Sequence, residues 1–135
     1  MLRLFAEGRA LGGSWFNHVL SWYEASKADP EHILFMRYED MITDTSASVK
    51  KIADFVGIET TPEIVKKVVA GSTVSVMKRN AIAYGPFYSN HVRKGEKGGW
   101  RDYFTVGQSE QFDAIYREQM AGSGLEMDFG GGVEM

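Results

Sequence analysis

The sequence predicts an incomplete α/β fold: a mostly helical chain built around one strand of a parallel sheet. Three observations carry this. Ile33, Leu34, Phe35 and Met36 form an unbroken apolar run next to a proline turn, the pattern of a strand buried on both faces. Elsewhere, apolar residues recur at three- and four-residue spacing in about five segments separated by capping residues, the pattern of helices. A central strand also needs partners for its buried N–H and C=O groups. No second run of this kind occurs in the 135 residues, so either the run is not a strand or the rest of the sheet is expected from sequence outside this chain.

The elements follow in order. Residues 2–7 read as the end of a helix closed by Gly8. Ser14 is placed to cap the next helix, in which Trp15, Val19, Trp22 and Tyr23 keep helical spacing and which Asp29 and Pro30 end. The strand falls within residues 32–38, with its apolar run at 33–36 and Tyr38 at its end. Val49, Ile52, Ala53 and Val56 form one apolar stripe ended by Gly57. Thr61, Pro62 and Glu63 supply a cap, a proline in the first turn and an acid near the positive helix end, with Gly71 as the stop. A short helix is expected over residues 74–78, and residues 81–99 read as loop from their Gly, Pro, Asn and Ser content. Thr105 or Gln108 opens a last helix through Met120, with Phe112, Ile115, Tyr116 and Met120 facing inward and Gly122 just past its end. Residues 130–135, GGGVEM, are expected to form a flexible tail to a body of residues 1–129.

Composition narrows the function classes. A net charge of −3 argues against a nucleic-acid binder acting through bulk charge. The absence of cysteine excludes disulfides and thiolate metal sites and suits a reducing compartment. No apolar run approaches the roughly 20 residues of a membrane span, and the N-terminal residues lack the continuous apolar core of a signal peptide.

The strongest chemical signal is Arg93-Lys94-Gly95, followed by Gly98-Gly99-Trp100. An arginine holds a phosphate with two parallel bonds, a lysine adds a point charge, and a glycine lets backbone N–H groups come close to an anion. By itself such a run is most often a solvated basic loop. Its neighbours change that weight.

The stretches GSWFNHVLSWYEA, ILFMRYEDMITD, VKKIADFVGI, MKRN, RKGEKGGW and YFTVGQSEQFDAIYREQMAGSGL resemble the cytosolic sulfotransferase family, in family order and over nearly the whole chain. The resemblance implies a P-loop-like parallel-sheet fold flanked by helices. It also implies transfer of a sulfuryl group from 3′-phosphoadenosine 5′-phosphosulfate (PAPS) to the hydroxyl or amine of a small acceptor, without metal, in the cytoplasm. Carried over by position, Arg93, Lys94 and Gly95 match the residues that hold the donor's 3′-phosphate. Tyr38 matches a tyrosine near the adenosine. Ser72, Thr73 and Val74 match a Thr-Ser-Phe segment along the adenine, with Val74 in place of the aromatic ring.

The resemblance also implies what these residues do not include. The family's phosphosulfate loop, its catalytic histidine, and the arginine and serine that assist the 3′-phosphate all lie upstream of the matched region. No catalytic residue is therefore expected among residues 1–135. His18, His32 and His91 offer no triad order and no metal-ligand spacing. Glu39 and Asp40 are expected in cap or turn roles. Arg101, Thr105, Val106 and Glu110 resemble the family's short dimer motif, with arginine replacing lysine; Thr105 as a helix cap and Val106 as a core residue is the plainer alternative. Two other functions stand beside the transferase: a non-catalytic nucleotide binder that keeps residues 93–95, and an interaction fragment acting through residues 105–106.

Overall fold

The computed structural model describes residues 2–83 and 91–130. The described chain is helical: α1 (Leu2–Ala6), α2 (Trp15–Ala28), α3 (Tyr38–Thr43), α4 (Thr45–Phe55), α5 (Pro62–Gly71), α6 (Val74–Ala83), a 3₁₀ turn (Gly99–Asp102) and α7 (Val106–Met120). It divides into two compact units, one of residues 1–35 and 99–128 and the other of residues 36–98 and 129–135.

The caps read from the sequence are in place. The Ser14 hydroxyl accepts the Asn17 N–H at 3.3 Å, and Thr61 accepts the Ile64 N–H at 3.4 Å with Pro62 as the first residue of α5. Thr105 and Gln108 form a reciprocal box at the start of α7: Oγ1 accepts the Gln108 N–H at 3.3 Å and Oε1 accepts the Thr105 N–H at 3.0 Å. Gly8, Gly57 and Gly122 take positive φ at the helix ends, where a side chain would be strained.

The expected strand is not formed. Residues 33–37 lie outside any helix, and no strand occurs among the described residues. A strand exists only with a partner to bond, and the described residues hold none. The run is half-buried all the same: the Phe35 ring meets Tyr23 edge-on at 5.3 Å. Tyr38 consequently opens a helix instead of ending a strand. That helix, α3, was not foreseen. Its first turn holds Glu39 and Asp40 at the positive end of the backbone dipole. Arg37, just before it, grips Asp40 with Nε at 2.7 Å and Nη2 at 2.9 Å. A second correction concerns α6, which runs on to Ala83, so the expected loop starts later than residue 81. Residues 84–90 of that loop lie outside the described residues, and residues 91–98 are loop.

In the first unit, Phe16 is the deepest side chain at 1% exposure, with Met120 and Leu125 buried beside it. Its ring stacks on Phe112 at 6.3 Å. Tyr116 tucks in the C-terminal segment by accepting the Met127 N–H at 3.1 Å. On the surface, Glu7 is held below the usual carboxylate range by its bonds from Arg3 first and Arg9 second.

In the second unit the helices pack in series: α3 on α4, α4 on α5, α5 on α6. Small residues allow the close approach, with Ala53, Val65, Ala81 and the small polar Ser48 buried. The expected α4 stripe is only partly inward, since Ile52 and Val56 remain exposed. No helix among the described residues is long and apolar enough to cross a membrane.

Candidate functional site

All seven residues singled out for donor binding fall in the second unit. The structure brings two of their three groups into contact. Gly95 adopts φ +71, and a Cβ built on it would stand 1.9 Å from Val74 Cγ2. Ordinary contact begins near 3.4 Å, so the turn carrying Arg93 and Lys94 lies directly on the first residue of α6. Sequence reasoning gave Gly95 one reason to be glycine, close backbone approach to an anion. The fold adds two others: the left-handed backbone and the valine beneath it.

Ser72 and Thr73 build the corner on which this contact rests. Ser72 ends α5, with its N–H donating to the Val68 carbonyl at 2.9 Å and its hydroxyl to the same oxygen at 2.8 Å. Thr73 caps α6: Oγ1 accepts the Val76 N–H at 3.4 Å and lies 3.2 Å from the Ser75 hydroxyl. Both hydroxyls thus have structural work of their own, which the Ser-Thr pair between two helical patterns already signals. Tyr38 belongs to the third group. It is about half exposed, at 49%, on a helix that packs against α4.

Arg93, Lys94 and Gly95 are exposed. Lys94 Nζ lies 3.7 Å from a Glu96 carboxylate oxygen, a surface pair worth little by itself. The downstream end of the loop is backed by Gly130. Gly130 has φ +78, and a Cβ on it would stand 2.8 Å from the Gly98 nitrogen and 3.0 Å from Lys97.

The three histidines divide between the two units. His18 and His32 belong to the first unit. His32 Nδ1 lies 2.8 Å from Asp29 Oδ1, and His91 is exposed two residues before Arg93. No group of three potential metal ligands occurs among the described residues. In the segment resembling a dimer motif, Thr105 caps α7, while Val106 is 77% exposed and is not a core residue. Arg101 lies over the Trp100 ring at 5.1 Å, and Glu110 is exposed.

A family model described as "Sulfotransferase domain" matches residues 1–124. Sulfotransferase 1B1 of Canis lupus familiaris is 37% identical over 134 residues, covering 93% of this chain and 45% of that protein. The 3-alpha-hydroxysteroid sulfotransferase of Cavia porcellus is 40% identical over 126 residues, covering 87% of this chain and 43% of its own length. Among solved structures, mouse sulfotransferase SULT7A1 complexed with PAP superposes with a TM-score of 0.81 at 36% identity, over 90% of this chain and 46% of that one. Retinol dehydratase in complex with androsterone and inactive cofactor PAP gives 0.82 at 25% identity, over 93% and 38%. The chain thus spans less than half the length of these relatives, and its helices superpose on parts of larger proteins. With the family model covering all but the last eleven residues, the chain belongs to the sulfotransferase family.

Proposed function

We propose that this chain is the 3′-phosphate-holding part of a sulfotransferase that takes its sulfuryl group from PAPS and passes it to the hydroxyl or amine of a small acceptor. The observation that carries the reading is the contact of Gly95 with Val74, which joins the basic turn to the start of α6. A 3′-phosphate placed there meets the Arg93 fork, the Lys94 charge and the positive end of a ten-residue helix. Each favours a doubly charged anion over a neutral ribose hydroxyl. Two structurally similar proteins solved with PAP support the same reading. Val74 offers the adenine no aromatic face, so the phosphate contacts carry a larger share of the affinity.

In the whole reaction the acceptor oxygen or nitrogen bonds to sulfur as the bond from sulfur to the donor's bridging oxygen breaks. The acceptor proton goes to a base, and the bisphosphate leaves. The residues of this chain assigned here hold the non-reacting end of the donor. Their part is orientation, which makes an in-line attack probable once the reacting groups are present. The reading places the protein in the cytoplasm and assigns it no metal. Titration calorimetry of the chain with adenosine 3′,5′-bisphosphate tests it: saturable one-to-one binding is expected, and no binding would overturn it.

A self-association role for Arg101, Thr105, Val106 and Glu110 is favoured by one observation, the exposure of Val106 beside a capped helix start. A large exposed apolar residue next to charged neighbours suits a small interface. Val106→Glu is expected to shift a dimer to monomer in sedimentation velocity while circular dichroism stays unchanged, because the side chain is not part of the core. An unchanged sedimentation profile with intact dichroism would remove this role.

A further inference from the structure

We propose that Val74 is the positioning residue of the 93–95 turn, fixing where Arg93 and Lys94 carry their charges and so how strongly the site prefers a 3′-phosphorylated nucleotide. The nucleotide half of this proposal rests on the donor-binding reading above; the contact itself does not.

The geometry is specific. A Cβ on Gly95 would meet all three outer carbons of Val74, at 1.9 Å from Cγ2, 3.4 Å from Cβ and 3.8 Å from Cγ1. The turn therefore rests on the branched end of the valine. A β-branched side chain in a helix has one strongly preferred rotamer, so Val74 is a firm stop where a long side chain would swing aside. The helix corner behind it is fixed as well, by the Ser72 and Thr73 caps. Residues 92–96 of the turn lie outside helix and strand and are largely exposed. Valine at 74 thus has a role that an adenine-stacking ring would not supply, that of a short, stiff support against which the glycine closes.

The test uses the full chain with Val74→Ala, Val74→Leu and Val74→Ile. Alanine removes both γ carbons, leucine keeps the bulk but moves the branch outward, and isoleucine keeps the branch at Cβ. Two readouts are followed. The first is the rate of tryptic cleavage after Arg93 and Lys94 without nucleotide. The second is calorimetric affinity for adenosine 3′,5′-bisphosphate and for adenosine 5′-phosphate. Val74→Ala and Val74→Leu are expected to speed cleavage and to weaken the bisphosphate about tenfold, with the 5′-phosphate changed less than about twofold. Val74→Ile is expected to restore both.

Unchanged cleavage in both disruptive variants would overturn the positioning role. Equal weakening of the two nucleotides would overturn it too, since Val74 would then serve the adenosine or the fold. If the unmutated chain binds neither nucleotide, the donor-binding reading falls and the nucleotide half of this proposal with it. Faster cleavage in Val74→Ala would still uphold the contact. Should the alanine variant fail to fold by circular dichroism, the leucine variant decides the matter.

Discussion

Arg93→Ala weakens binding of adenosine 3′,5′-bisphosphate by about tenfold or more, and Arg93→Lys weakens it by less. A hydrogen bond to a charged partner contributes about 1.5–3 kcal/mol, a factor of roughly 10 to 150. Arg93 is exposed, so solvent screening moves the expectation toward the lower end of that range. Lysine keeps the charge but loses the planar fork that meets two phosphate oxygens at once. Adenosine 5′-phosphate lacks the group that Arg93 is assigned to hold, so its affinity should change by less than about twofold in either variant. Raising the salt concentration should shrink the difference between the two nucleotides, because the contact is a surface charge pair. Titration calorimetry reads all of this. Equal losses for both nucleotides would mean that Arg93 contributes general charge or stability and does not grip the 3′-phosphate.

The 135-residue chain on its own is expected to show no sulfuryl transfer from PAPS to a panel of phenols and alcohols. Chemistry at sulfur needs a base within about 3 Å of the acceptor proton and donors aimed at the charge that develops on the bridging oxygen. His32 is engaged by Asp29, and neither His18 nor His32 is among the residues proposed to hold the donor. On the proposed reading, His91, two residues before Arg93, would lie at the 3′-phosphate end of the donor, away from the sulfate. Binding of the bisphosphate without turnover is therefore the expected pairing. Measurable turnover, lost on replacing one histidine, would contradict the account and identify the missing base.

Much of this was legible in the sequence because local rules decide it. Ser14, Thr61 and Thr105 cap the helices that their residue types announce, and Gly8, Gly57 and Gly122 close them. The basic turn was legible as residue types, and its contact with Val74 was not. No local rule links residue 95 to residue 74, which only the packing of α5 on α6 and the return of the loop bring together. The strand failed for a related reason. The apolar run of residues 33–36 satisfies the pattern of a buried strand, but a strand is a property of a pair, and the described residues hold no partner for it. Helix α3 was missed because its six residues, YEDMIT, are too few to show a periodicity. Its signal was in the charges: Arg37 before the helix and Asp40 within its first turn, at the spacing that lets them bond.

The central claim is that residues 93–95 hold a 3′-phosphate. Calorimetric comparison of adenosine 3′,5′-bisphosphate with adenosine 5′-phosphate on the unmutated chain tests it most directly, because the two ligands differ only in that group. The account predicts binding of the bisphosphate at least about tenfold tighter than the 5′-phosphate, the contribution of one charge-assisted contact. Equal affinities, or binding of neither, would contradict it.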